Sequence, residues 1–293
     1  MFVWQSGSCE LCSNGFIEEN KMKTAKDRGT QGASWNYAEI WDKFPVPARP
    51  CKKELALIEQ KINAFKGNPK VLILGSTIEY RSLCKRLGIA PVVADFVKSN
   101  YDRLTEYSTE SFAGEEFFEI DWLDIQEKDR FDFILGHRVF NVIGKQDIQR
   151  MFKVMFNALK PEGIFFCRGN IFDSSFRDKL EEFVETWSRA PREYPLFTYI
   201  EVALYMNCCD TENYIDYPAC RQRVERWFRE GKISPSDFEE IRLLVSLSND
   251  ARFRTAEKHE ITRGYSTAGF ESAEWVTTGE EFSRQMPIII LRK

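Results

Sequence analysis

The chain has 293 residues, of which 43% are hydrophobic, 29% charged and 14% aromatic; this suits one large α/β domain with insertions, or two small domains. A net charge of −4 excludes a broad basic face for nucleic acid, and no stretch approaches the roughly 20 apolar residues of a membrane span. Eight cysteines in a chain this long make no disulfide framework, and the N-terminus lacks the basic region and apolar run of a signal peptide, so a cytoplasmic location is expected.

Residues 1–33 are polar and aperiodic, the composition of a flexible arm. Cys9 and Cys12 form a lone C-x-x-C; with no second such pair and only two His, the chain gives zinc weak support, and no metal site is expected. Ser34 can cap a short helix bearing Trp35, Tyr37, Ala38 and Trp41. The prolines of FPVPARP hold the next stretch extended, and a helix follows from Lys53 to Phe65 with Leu55, Ile58, Ile62 and Phe65 on one face. Residues 34–66 are thus a helical cap ahead of the main domain, 34–293.

Lys70 to Asp95 organises the rest of the chain. Val71 to Leu74 is a continuous apolar run, as a strand buried on both faces of a parallel sheet should be. Gly75, Ser76 and Thr77 turn the chain into a helix, Glu79 to Leu87, which Gly88 ends. A second strand from Pro91 closes on Asp95, 20 residues after Gly75, where a nucleotide-binding βαβ unit places the acid that holds ribose hydroxyls. A dinucleotide site prefers G-x-G-x-x-G beneath the pyrophosphate, but here only Gly75 remains and Glu79 sets a negative charge in the first helical turn. That charge repels pyrophosphate and tolerates a cationic ligand. S-adenosylmethionine, with a sulfonium, an ammonium and no phosphate, is such a ligand.

The residues VLILGST-IE followed by VVAD resemble the first two motifs of class I SAM-dependent methyltransferases, in particular a branch with an LG-x-T-x-E turn. The resemblance implies an α/β, doubly wound, Rossmann-like methyltransferase sheet with an antiparallel last strand. It implies S-adenosylmethionine as cofactor, bound by Gly75, Ser76, Thr77, Glu79 and Asp95, with Phe96 covering the adenine. In such enzymes the N-terminal segment packs over the cofactor mouth, which makes Tyr37 and Arg49 further contacts; Trp41 either joins them or anchors the segment to the core.

Further along, SNYDRLTEY is a second crossover helix, and Glu116 to Ile120 a third strand. By resemblance Asp121 meets the adenine amino group, with Asp124 the alternative; Trp122 stacks on the ring or caps the sheet edge. Phe131 to Gly136 is the fourth strand. Gly136, His137 and Arg138 then fall at the crevice outside the strand ends, with Gly136 against the cofactor. The sequence GHRVFN lacks the prolines that amino-directed nucleic-acid methyltransferases carry there, which speaks against a nucleic-acid acceptor. His137 is the candidate general base; the alternative is that it hydrogen-bonds the loop or the methionine carboxylate. Arg138 can neutralise an acidic group. Asp147 to Leu159 is amphipathic, and LKPEG turns into strand five.

Residues 173–258 are expected to be a helical substrate-recognition insertion. Within it lie a helix from Phe176 to Trp187, an aromatic stretch from Tyr194 to Tyr217 in which Tyr199, Tyr205 or Tyr214 can line an acceptor pocket, a helix from Cys220 to Gly231, and one opened by a capping box at Ser236 and Glu239. Segments near Ser272–Thr278 and Pro287–Leu291 supply the last strands. The function this implies is methyl transfer to a small-molecule acceptor, with no nucleic-acid or membrane partner. Alternatives are a peptide or protein acceptor, or a non-catalytic nucleotide-cofactor-binding Rossmann protein. The Tyr-x-x-x-Lys dyad of a short-chain reductase is missing between Gly136 and Asp173.

Overall fold

The computed structural model describes residues 41–44, 46, 48–177, 179–189, 196–246, 253–280 and 282–293. The arm at 1–33 with Cys9 and Cys12, the cap residues Ser34, Trp35, Tyr37 and Ala38, and the side chain of Tyr199 lie outside the described residues.

The strands are β1 (Val71–Leu74), β2 (Val92–Asp95), β3 (Glu116–Glu119), β4 (Phe131–His137), β5 (Leu159–Arg168), β6 (Ser272–Val276) and β7 (Ile288–Arg292). They form one sheet in the order β3-β2-β1-β4-β5-β7-β6, and β7 runs antiparallel to both of its neighbours. This is the expected fold class: a doubly wound α/β sheet of the class I methyltransferase type. The order reverses between β1 and β4, the next strand in sequence to pair with it, so the ligand crevice falls at the carboxyl ends of β1, β2 and β4.

Alternation along each strand builds two apolar layers. Leu72, Leu74, Val92, Ala94, Ile134, Phe165, Cys167, Ile289 and Leu291 face one layer, which α5 (Ile148–Ala158) covers with Ile148, Met151, Phe152 and Met155. On the opposite face Val71, Ile73, Val93, Leu135, Phe166, Ile288 and Ile290 pack under α1 (Lys52–Asn63) and α2 (Ile78–Arg86). Helix α3 (Lys98–Tyr107) is the second crossover, and α4 (Val139–Val142) is a single turn after β4. The apolar spacing in α5 is what the sequence shows, so its position matches expectation within a residue. At strand five the expected turn at Lys160–Gly163 is present, with Glu162 at φ +64°, but it interrupts a strand that already begins at Leu159. Leu159 pairs with Phe131 and Ile164 with Phe133, and the extra residues bulge outward.

The insertion comprises α6 (Leu180–Arg189), α7 (Leu196–Asn207), α8 (Tyr217–Arg229) and α9 (Pro235–Ser246), around a cluster of its own that includes Leu180, Val184, Ile200, Leu204, Trp227 and Ile241. The capping box expected at Ser236 and Glu239 sits two residues earlier. There Ser234 Oγ accepts from Asp237 N at 3.2 Å, and Asp237 Oδ2 accepts from Ser234 N at 3.3 Å. That placement leaves Pro235 at the first helical position, where its missing N–H costs nothing. Helix α7 falls within the aromatic stretch from Tyr194 to Tyr217. Every residue from Ile200 to Met206 is buried, Glu201 included, so the helix is buried around its circumference and carries no amphipathic period. A further helix, α10 (Lys258–Ala268), follows the insertion and packs on α5, closed by Gly269 at φ +106°. None of the described helices is long and apolar enough to cross a membrane.

Candidate functional site

The carboxyl ends of β1 and β2 converge where the β1–α2 turn leaves the sheet. Gly75 takes φ +84°, the left-handed region that an L residue enters at a cost, and its N–H donates to Ala94 O at 2.8 Å. A Cβ there would meet only Trp122 Cζ2, at 3.6 Å. Next to it Ser76 Oγ donates to Asp95 Oδ2 at 2.5 Å, tying the turn to the last residue of β2. Val97 N donates to Asp95 Oδ1 at 3.3 Å. Burial pushes the Asp95 carboxyl above its ordinary range, and these hydrogen bonds act against that push. The backbone N–H groups of Ser76 and Phe96 add to the same effect.

Thr77, buried, precedes α2 without a side-chain capping bond. Two residues on, Glu79 stands in the first turn of the helix. Trp41 Nε1 donates to its Oε1 at 3.1 Å, and Arg49 Nε lies 3.7 Å from the same oxygen. The N-terminal segment therefore reaches the mouth of the crevice through Glu79, with Arg49 and Trp41 on one carboxylate oxygen. The other oxygen, Oε2, is buried and has no hydrogen-bond partner. Burial raises the Glu79 pKa.

Phe96 and Trp122 lie together, ring centroids 4.5 Å apart and planes at 33°. Trp122 is 5% exposed and its Nε1 donates to Ala94 O at 2.8 Å, so the indole sits in the core beneath the β1–α2 turn. Asp121 Oδ1 accepts from Leu123 N at 3.0 Å and caps the short turn Trp122–Asp124. Asp124 pairs with Arg150 at 2.9 Å on the exposed side of that turn. At the end of β4 a Cβ on Gly136 would fall 2.5 Å from Val139 Cγ1; the glycine lets the chain fold back tightly into α4.

His137 belongs to a second group, on the α1 side of the sheet. Its side chain is 4% exposed, and Nδ1 lies 3.2 Å from Glu54 Oε1. A carboxylate only accepts, so the Nδ1 hydrogen points at Glu54. Tyr80 donates its hydroxyl to the same oxygen. Arg168, the register partner of His137 on β5, donates through Nη1 to Glu54 Oε2 at 2.6 Å, through Nε to Met286 O at 2.8 Å and through Nη2 to Thr278 Oγ1 at 3.1 Å. Burial pushes the Glu54 carboxyl up, but His137, Arg168 and Tyr80 outweigh it and hold the pKa at about 2.

A third group lies under the insertion. Arg138 takes φ +57°, a strained conformation for a side chain of its size, and pairs with Glu201 of α7 at 2.9 Å. Its Nε is buried and unpartnered. Tyr205 and Tyr217 stand beside it. Two residues past β5, the Asn170 side chain is fully buried, and neither its Oδ1 nor its Nδ2 has a partner. Its backbone is held firmly: N donates to Asn141 Oδ1 at 3.1 Å, and O accepts from Ala256 N at 3.0 Å. Arg254, bonded to Glu260 at 2.7 Å, and Thr255 also carry buried polar atoms without partners. Among the described residues no group of three or more His, Cys, Asp or Glu converges as a metal site would.

Gly75, Ser76, Thr77, Glu79, Asp95, Phe96 and Trp122 thus come together at one mouth, with Asp121 and Gly136 at its flanks. Sequence reasoning missed Glu54, Tyr80, Arg168, Asn170 and Glu201. Two of these carry a signal in the pattern. Glu54 stands on the stripe of Ile58 and Ile62, and Arg168 shares a strand face with Ile164 and Phe166, so each is a charge in a buried series.

No protein-family model matches the chain, and no curated protein sequence matches it. Solved structures do. A Rhodobacter sphaeroides protein assigned as a zinc-dependent alcohol dehydrogenase is similar at a TM-score of 0.55 and 15% identity, over 87% of this chain and 95% of that one. The PH0226 protein of Pyrococcus horikoshii reaches 0.50 at 13% identity, over 87% and 98%. A Nostoc punctiforme protein assigned as an O-methyltransferase reaches 0.49 at 12% identity; the match covers 88% of this chain and 59% of that one. Several other similar structures are methyltransferases by name. At these identities the likeness concerns the fold alone.

Proposed function

We propose that the chain is an S-adenosylmethionine-dependent methyltransferase acting on a small molecule. The observation that carries the reading is the carboxylate at the crevice mouth. Glu79 holds a buried oxygen without a partner, in the first turn of the helix where a dinucleotide enzyme would need to receive pyrophosphate. An anion is repelled there, and a cationic ammonium or a hydroxyl supplies the missing hydrogen bond. The residues present fit the adenosyl ligand. Gly75 turns the chain with no side chain between its backbone and the crevice, Asp95 ends β2 as a carboxylate for ribose hydroxyls, and Phe96 offers aromatic surface beside it.

When bound, the cofactor supplies an electrophilic methyl group on a sulfonium. The chain's own contribution is proximity and orientation. Ser76 fixes the Asp95 carboxylate through the 2.5 Å bond, and Trp41 and Arg49 hold Glu79 from the other side. His137, turned onto Glu54, acts in this reading as a positioning residue that ties the end of β4 to α1; a base for the acceptor proton, where one is needed, comes from elsewhere or from solvent. The enclosed polar group under the insertion, Arg138, Asn170 and Tyr205, supports a small acceptor over a peptide, which would need an open groove.

Calorimetric titration with S-adenosylhomocysteine and, separately, NADH tests the reading on the wild type and on Asp95→Ala. The expected result is binding of the adenosyl ligand only, weakened at least about tenfold in the variant, or ~1.4 kcal/mol. Binding of NADH alone sinks it.

A further inference from the structure

Two cysteines meet within the insertion, where α7 ends and α8 begins. Cys208 directly follows α7 and Cys220 lies in the first turns of α8. The chain between them doubles back through a bridge between Cys209 and Ile215, and both cysteines bond to one residue. Asp216 N donates to Cys208 O at 2.8 Å, and Cys220 N donates to Asp216 O at 2.9 Å. Asp216 also caps α8 through its side chain, accepting from Ala219 N at 2.9 Å. This closure brings Cys208 and Cys220 next to each other, and both are free. Cys208 lines a cavity of about 500 Å³ with Asn207, Ala219, Arg223, Arg226 and Arg229, a size that suits a small ligand. Of the charged groups around it, Arg223 and Arg226 share Glu181 at 3.2 and 2.7 Å, and Glu225 also lines the cavity.

We propose that Cys208 and Cys220 are an exchange-active dithiol, and that the arginine-lined cavity holds the anionic small-molecule disulfide with which they react. The chemistry balances with that disulfide as the oxidant. Cys208 thiolate attacks one of its sulfurs, the S–S bond breaks, and one small thiolate leaves. Cys220 then gives up its proton and attacks the Cys208 sulfur; the second small thiol leaves, and a Cys208–Cys220 bond remains. Two protein thiols are oxidised and one external disulfide becomes two thiols. The roles divide by environment. Cys208 lines the cavity with Arg223, whose charge favours its thiolate, while Cys220 is fully buried behind it. Cys208 is the attacking thiol and Cys220 the resolving one. Cys84 and Cys167, buried in apolar surroundings with raised pKa values, are internal controls.

The test incubates the full chain with oxidised glutathione, quenches by alkylation and maps the peptides by mass. The expected product is a Cys208–Cys220 disulfide, formed several-fold faster than any adduct at Cys84 or Cys167. Cys220→Ser should stop at a glutathione adduct on Cys208, and Cys208→Ser should leave Cys220 reduced. A neutral disulfide of similar size, hydroxyethyl disulfide, should react several-fold more slowly, and Arg223→Gln should erase that preference. Modification of Cys208 no faster than of Cys84, or a wild-type adduct on Cys208 that never resolves, overturns the dithiol. Equal rates for the two disulfides overturn the anionic cavity. The wild-type map decides the first question even where a serine variant folds poorly.

Discussion

Two buried polar groups sit at the carboxyl ends of β4 and β5 and differ in how completely they are satisfied. Around Glu54, both carboxylate oxygens are taken: Arg168, His137 and Tyr80 converge on them, and the rest of the Arg168 guanidinium reaches Met286 O and Thr278. Around Arg138 and Asn170, one guanidinium nitrogen and a whole side-chain amide are buried without partners. A saturated network of charges specifies how α1, β4, β5 and the β6–β7 connection meet. An unsaturated one is costly for a fold to keep and leaves polar atoms that a ligand can complete. The same contrast separates His137 from Glu79: the ring is committed to Glu54, whereas Glu79 holds one oxygen in reserve.

The contrast breaks first where the saturated group is cut. Glu54→Gln leaves Arg168 as an uncompensated buried charge, and urea unfolding should show a loss of about 3–5 kcal/mol. A smaller change disproves the structural role assigned to this group.

Acid reaches the same carboxylate without a mutation. The folded-state pKa of Glu54 is depressed from 4.5 to about 2, so its contribution is fully present above pH 4.5 and is lost as pH falls through about 2. The wild type should lose on the order of 3 kcal/mol over that window, and Glu54→Gln should lack this part of the slope. Parallel stability curves for the two proteins would count against it.

At the crevice, Gly75→Ala should cost about 1–2 kcal/mol, because φ +84° is strained for alanine while the added methyl meets only the Trp122 ring at ordinary contact distance. Thermal unfolding reads the cost, and titration with S-adenosylhomocysteine should show weakened binding alongside it.

The smallest effect on stability belongs to the unsaturated group. Asn170→Leu removes an amide that makes no side-chain bonds, so stability should stay within about 1 kcal/mol of wild type or rise. Cofactor affinity should be unchanged, while turnover on any acceptor found by screening should fall. Loss of several kcal/mol instead would place Asn170 with the structural residues.

By itself the sequence determined the sheet half of this protein. The runs Val71–Leu74, Val92–Asp95 and Phe131–Gly136, and the stripe of Ile148, Met151, Phe152 and Met155, are short-range patterns with one stable solution. Buried parallel strands must be apolar on both faces, and a surface helix must repeat every three to four residues. Gly75 and Asp95 were legible for the same reason, since a turn and a strand end are local events. Tertiary structure alone decided the rest. Helix α7 is buried all round and so has no period to read, and the capping box settled at Ser234 because Pro235 accepts the first helical position. The partners of His137 and Arg138 lie 83 and 63 residues away in the chain. Whether a buried charge is satisfied or held for a ligand depends on which side chains the fold brings within about 3 Å of it, and no local pattern encodes that distance.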